Sequence, residues 1–474
     1  MFTSELWNGK KTEPYTIDQS IRFNPSDNTY MHRTQDTADS KRKLTLSWWM
    51  KRGGSFGTEL CLFAAGASSR FMARMHSDDK MTLRLTNSTT EKTMTTDMVF
   101  RDPSAWYHCV WIADCTTGSE FSRLYVNGSQ VTMTGTQPSA DTDFAGYGDG
   151  STFSISTNSH SLSSQEWDGY LAEMVLIDNQ ALGPSNFGEY NDSNIWIPKD
   201  VSGLTFGTNG FYVDGRDSSD LGDDESGNGN DFTTNGLAAH DFMLDTPTNN
   251  FCVLNQISKL SYDSGQTVRG VSEANLSSIS KPSGNTNGFA FGTMGVTSGK
   301  WYYEIYTTTY PAVEALGLGW IDAENAQTAT ASGSGWRDFG VNQRHTTSAY
   351  SVWQWGSNES TSTGLTEFQA SVVVGVATDF DNNTFTLTTN GSAYGSVDFD
   401  STSPTQDLTD GTIWLPKSEL ANDAVALVTF NFGQDSTFNG QISAGGNADG
   451  NGVGNFKYSV PSNHLALCTK NLGS

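Results

Sequence analysis

Basic side chains are scarce in this chain. Its 474 residues carry 27 Lys and Arg against 52 Asp and Glu, for a formal net charge of -25. Phosphate binding needs a basic stripe, so this balance argues against a nucleic-acid partner, while it permits calcium. Cysteine is scarce too. Five residues are too few, and an odd number, for a disulfide framework. Cys61, Cys252 and Cys468 sit in apolar runs and read as buried thiols. Cys109 and Cys115 lie close enough in sequence for either a disulfide across a tight turn or two thiols. No apolar run approaches the ~18 residues of a spanning helix, which argues against membrane insertion. The first residues, MFTSELWNGKK, lack the apolar stretch of a signal peptide, so the expectation is synthesis without export in a reducing compartment. There is no heptad run, so any oligomer would form through sandwich faces or termini. HExxH, GxSxG before a helix and a phosphate-binding glycine loop are all absent.

What the chain does have is length, turns and alternation. At 474 residues with 36% apolar content and 48 glycines, it is too long for one core and suits successive β-modules. A related ending occurs twice, as FMLDTPTNNFCVLNQ (Phe242 to Gln256) and FKYSVPSNHLALCTKNL (Phe456 to Leu472). Each copy has an aromatic opener, a proline followed by small polar residues, and a short apolar run with a cysteine. The boundaries this suggests are a first sandwich over 1–198, an acidic linking segment over 199–257, a second sandwich over 258–436 and a Gly/Asn-rich docking segment over 437–474. The last should return as a strand or hook, burying Leu465 and Leu467.

In the first module, KLTLSWWMKR places Leu44, Leu46, Trp48 and Met50 on one face of a strand. WYHCVWIAD is another strand, and RLYVNGSQV is a hairpin turning on Asn127–Gly128. WDGYLAEMVLID gives a long strand, with a short helical turn expected near Gly183 to Phe187 because Pro184 suits a first helical position. These four pieces, in this order over residues 15–195, resemble a laminin-G-like or pentraxin-like module of the concanavalin A-like lectin/glucanase superfamily. The resemblance implies a two-sheet antiparallel jelly roll. Glu173 stands where that family has an acidic residue on its closing strand. It is expected to tuck inward onto backbone amides.

The linking segment gathers Asp214, Asp217, Asp220, Asp223 and Asp224 on a glycine-jointed loop. Oxygen ligands this dense suit a hard cation such as calcium. The spacing is not an EF-hand, because DGRDSSDLGDDE lacks glycine at its sixth position. The competing reading is a solvated loop whose aspartates cap turns.

The second module resumes with SGKWYYEIYTTT, where Trp301, Tyr303 and Ile305 share a face. ALGLGWID, VVVGVATDFDNNTFTLTTNG and VTFNFGQ follow. Over residues 285–436 these motifs resemble a SPRY domain. Two departures stand out: Ser371 replaces a frequent aspartate, and FTLTTNG lacks the usual final phenylalanine. The resemblance implies a second antiparallel β-sandwich whose partner-binding face is made of loops. The matching loop, 328–364, carries Trp336, Arg337, Arg344, Tyr350, Trp353 and Trp355, which are the candidate carbohydrate- or partner-binding residues. Trp353 and Trp355 share a strand face and also read as sandwich core.

Together, FGTNGFYVD, SGNGNDF and DTPTNNF with the two modules resemble structural proteins of marine bacteriophages. That resemblance implies a virion component, a fibre, tail or capsid-surface protein, that forms a homo-oligomer among other virion proteins and meets a host-surface glycan or protein. The alternative is a dedicated carbohydrate-binding adhesin. Glycoside hydrolases share the superfamily, but paired carboxylates at alternating strand positions are missing: Glu304 and Glu173 each stand alone. The fold expected is all-β, two antiparallel jelly-roll β-sandwiches in tandem, without catalysis.

Overall fold

The computed structural model describes residues 14–67, 71–87, 90–257, 270–279, 288–309, 315–324, 326, 338–344, 350–354, 357–359, 368–399, 407–420 and 427–473. Alternation sets the first sandwich. One sheet has the order Ser129–Gln130, Ser122–Val126, Trp106–Asp114, Lys43–Arg52, Gly169–Asp178, Ser20–Phe23, Phe242–Met243, and Phe211–Val213 also pairs with Gly169–Asp178. The facing sheet runs Met133–Gly135, Thr90–Val99, Lys80–Asn87, Phe71–Met75, Leu60–Ala65, Thr152–Ile155, Tyr30–Thr34, Thr233–Asn235. The expected face of Lys43–Arg52, with Leu44, Leu46, Trp48 and Met50, is fully buried between the sheets. Phe71 stacks on Trp111 at 4.6 Å and Trp48 meets Phe63 edge-on at 5.2 Å. The hairpin turn is where sequence places it: Asn127 and Gly128 have φ of 47° and 81°, the two positive values such a turn requires. A 3-10 turn covers Pro184–Asn186.

The acidic segment is built into this sandwich. Phe211–Val213 and Phe242–Met243 extend one sheet and Thr233–Asn235 extends the other. Residues 187–212 also cover the outer face of the first sheet, where Phe187, Val201, Phe206 and Tyr212 bury Val110, Ile112, Val175 and Ile177.

In the second module one sheet has the order Gly270–Ser272, Ser277–Ile279, Leu427–Asn431, Lys300–Thr309, Val372–Asp379, Thr384–Thr389, Ser392–Asp398. The other runs Gly288–Phe291, Trp414–Leu420, Ala315–Asp322, Asp338–Arg344, Tyr350–Gln354, Ser357–Glu359. Trp301, Tyr303 and Ile305 enter the core beside Trp320, Phe430 and Phe432. The docking segment returns as expected: Leu465–Ala466 pairs in parallel with Trp301 and Tyr302. Leu467 is fully buried and Leu465 partly so. The two related endings also meet each other. Phe251 bridges to Cys468, the Cys252 amide donates to the Leu467 carbonyl, and the Thr469 amide donates to the Asn250 carbonyl.

Buried charge joins the modules. Arg22, on the first sandwich, donates to Asp241 at 3.0 Å and to Asp435 of the second module at 3.2 Å, with all three side chains at most 4% exposed. Lys51 Nζ donates to Asp245, Asn250 and the Phe251 carbonyl at 2.7, 2.7 and 3.0 Å. The Tyr170 hydroxyl donates to the Ala274 carbonyl, and the Asn275 amide donates to the Arg52 carbonyl.

Candidate binding site

The structure does not gather the aspartates of the acidic loop around one point. Among the described residues no three His, Cys, Asp or Glu side chains are placed to hold a metal ion. Instead each carboxylate is used locally. Asp214 accepts from the Arg216 amide and pairs with its guanidinium; Asp217 accepts from Ser219 and Asp220 from the Gly222 amide. Asp224 accepts from the Tyr212, Ser226 and Asn230 amides and from the Ser226 hydroxyl. Asp223, crowded by Asp231 and Asp220, has its carboxyl raised by desolvation first and by these like charges second. Backbone amides thus bond Asp214, Asp217, Asp220 and Asp224, which is the turn-capping arrangement.

Of the loop candidates, Trp336, Arg337 and Trp355 lie outside the described residues. Arg344, Tyr350 and Trp353 fall in strands Asp338–Arg344 and Tyr350–Gln354, and their side chains also lie outside the description.

A different site emerges on the first sandwich. A groove of about 920 Å³ is lined by Tyr15, Trp49, Trp106, Tyr190 and Trp196, with Asn127, Asn194, Thr248, Asn250 and Thr469 among the polar residues. This volume lies within the range of small-ligand clefts. One wall is the two-stranded hairpin Gly188–Tyr190 and Trp196–Pro198. Its aromatics meet edge-on at 4.9 Å. Tyr190 is 49% exposed and Ile195 59% exposed. The Tyr190 hydroxyl donates to the Asn127 carbonyl, which ties this hairpin to the Asn127–Gly128 turn.

Trp196 is held from behind. A Cβ on Gly128 would come within 2.4 Å of its ring, and one on Gly188 within 2.6 Å. Its indole N–H donates to His108 Nδ1 at 2.9 Å. That bond assigns the imidazole tautomer, because an indole can only donate. The proton therefore sits on Nε2, which donates to Ser47 Oγ at 2.9 Å. Burial depresses His108 to about 3, so it is neutral. Trp49 stacks on the imidazole at 4.6 Å. The Ser47–His108 contact lies under the aromatic wall and supports it.

Behind Tyr15 lies Glu173. Its Oε1 accepts from both the Tyr15 and Tyr212 hydroxyls at 2.7 Å. Tyrosine hydroxyls hold it, in place of the backbone amides expected. The reason is a bulge: strand register shifts between Ala172 and Val175, and Glu173 has φ of 47°. Burial lifts its carboxyl to about 7 against the two hydroxyl donors. Backbone amides do hold the other lone strand carboxylate: Glu304 accepts from the Lys457 and Tyr458 amides at 2.7 and 2.9 Å, with Asn431 and Tyr302 adding two more donors.

The groove was not visible in sequence because its walls come from seven separated stretches, around Tyr15, Trp49, Trp106, Asn127, Tyr190, Thr248 and Thr469. The usable signal was the aromatic–hairpin pattern EYNDSNIW, whose turn carries Asn194 with φ of 59°.

Residues 25–186 match the family model of the concanavalin A-like lectin/glucanases superfamily. No curated protein matches the chain. Among solved structures it is similar to a native heptameric SAP-like pentraxin from Limulus polyphemus, at 19% identity over 35% of this chain and 78% of that one, with a TM-score of 0.28. It is similar to the SPRY domain of human HERC1, at 15% identity over 33% of this chain and 87% of that one, with a TM-score of 0.25. It is also similar to a protein from Bacteroides ovatus described as carbohydrate-binding, at 15% identity, covering 47% of this chain and 60% of that one, with a TM-score of 0.36. The sheet orders make this an all-β protein of two antiparallel sandwiches in tandem, the first of which carries the match to the concanavalin A-like superfamily over 25–186.

Proposed function

We propose that this protein is a non-catalytic recognition module that binds carbohydrate in the groove of its first sandwich. The single observation that carries the reading is the groove itself. It sets exposed Tyr190 and Ile195 and half-buried Trp196 beside the carboxamides of Asn127 and Asn194. Sugar rings present apolar C–H faces and a rim of hydroxyls, and aromatic planes next to amides match both. The two buried strand carboxylates support a non-catalytic reading. Two tyrosine hydroxyls hold Glu173 Oε1, and two backbone amides, Asn431 and Tyr302 hold Glu304, so each is engaged by its own chain. A screen of the full chain on immobilised glycans, with and without chelator, tests this. Glycan binding that survives chelation is expected; no glycan signal in either condition removes the reading.

The setting we propose is a virion surface, in a homo-oligomer that presents the groove to a host. The motifs FGTNGFYVD, SGNGNDF and DTPTNNF support it through their resemblance to those of phage structural proteins. Light scattering of the purified chain and peptide mass spectrometry of phage particles test it; a monomer absent from particles refutes it.

A further inference from the structure

The groove is as notable for what it omits as for its aromatics. Among the described residues, sixteen line the groove and none is Asp, Glu, Lys, Arg or His. Charged residues make up 17% of the chain, so sixteen ordinary positions would carry two or three. Two buried ionisable groups bonded to its lining residues are satisfied there. Lys51 is spent on Asp245 and Asn250 with its side chain fully buried, and Glu173 is capped by Tyr15 and Tyr212.

From this we infer that the groove selects an uncharged saccharide and excludes acidic ones. The inference rests on the carbohydrate reading above and narrows its ligand class. A carboxylate or sulfate in this groove would lose water and find no cation among the described lining residues to replace it, a penalty that neutral hydroxyls avoid. The surrounding molecule adds to the exclusion, since a net charge of -25 repels anions before they arrive. A neutral sugar meets neither obstacle. Its apolar face packs on Tyr190 and Trp196. Its hydroxyls reach Asn194 and Thr16, both exposed on the groove.

The test uses the full chain on an array divided into neutral oligosaccharides (glucans, mannans, galactans) and acidic ones (uronic, sialylated, sulfated). Titration calorimetry of the best neutral ligand follows, at low and high salt. The expected result is binding confined to the neutral set, with a Kd that changes less than about twofold between ~50 and ~500 mM salt. Tyr190→Ala and Ile195→Ser, both at exposed positions, should each weaken it by about tenfold while leaving circular dichroism unchanged. Binding of acidic glycans with neutral ones ignored overturns the inference and leaves the carbohydrate reading standing. Neutral binding that neither variant alters moves the site elsewhere and overturns the groove assignment. Silence across both sets overturns inference and reading together.

Discussion

Replacing Arg22 should uncouple the two sandwiches. Its guanidinium is fully buried and serves partners from three parts of the chain: Asp241 and the His240 carbonyl, Asp435 at the end of the second module, and Asn439 of the docking segment. Asp241 and Asp435 have side chains 1% and 4% exposed. Arg22→Ala leaves both carboxylates buried without their cation. Breaking one buried pair costs about 3–5 kcal/mol, and most of that cost is the stranded charge. Two stranded carboxylates share this arginine, so the upper end of the range is expected. At roughly 2–4 °C per kcal/mol for units of this size, the melting temperature should fall by roughly 10 °C or more. Scanning calorimetry supplies the first readout. The parent should melt in one transition and the variant in two, because the clamp links separate cores. A restoring variant sharpens the test. Arg22→Met with Asp241→Asn and Asp435→Asn removes the charge as well as the cation and should recover much of the loss. A drop below ~1 kcal/mol in Arg22→Ala, or a triple variant no better than the single, would refute the claim that stranded charge is the main cost.

Other outcomes follow from the same geometry. Glu304 and Glu173 are each lifted from 4.5 to about 7 by burial. The folded chain therefore holds these protons more tightly than the unfolded one, so their contribution is present below pH 4.5 and is lost as pH rises to 7, by about 3 kcal/mol per group. Glu304→Gln should flatten its share of that slope in urea unfolding followed between pH 5 and 8; an unchanged slope refutes the assignment. Gly188→Ala should push Trp196 off its seat, with a red-shifted tryptophan emission, loss of groove binding and about 1–3 kcal/mol of stability. Leu467→Ala empties a fully buried position and should cost about 2–5 kcal/mol by chemical denaturation. All five cysteines are free and buried, so a thiol reagent should label none rapidly in the native protein and all after denaturation.

Much of the scaffold was legible because its signals are local. Leu44, Leu46, Trp48 and Met50 alternate, and alternate residues share a face. Asn127–Gly128 and Asn390–Gly391 each carry two positive φ values, which the residue types themselves announce. The acidic loop left two readings open, a cation site and turn capping. Its aspartates follow a pattern found along the whole chain, Asp two residues before a capped amide: Asp102 with Ser104, Asp114 with Thr116, Asp200 with Ser202, Asp407 with Thr409 and Asp435 with Thr437. Much of the acidity is thus turn chemistry, which composition alone does not tell apart from cation binding. Glu173 is buried as expected, but its partners are tyrosine hydroxyls rather than backbone amides. A bulge breaks the period of two, so both Leu171 and Met174 face the core, and no alternation rule anticipates that. The groove depended on segments hundreds of residues apart, a distance at which periodicity carries no information.

The bridge between Phe251 and Cys468 has a bearing on synthesis. During translation the central ending leaves the ribosome more than two hundred residues ahead of its mate, with Phe251 and Tyr302 lacking the cover that Ala466 and Cys468 later provide. A polypeptide cut short before that point would keep an oily notch open to chaperones and proteases. Completion of the second module is in this sense a length check: only a chain read through to residue 468 can seal its own waist.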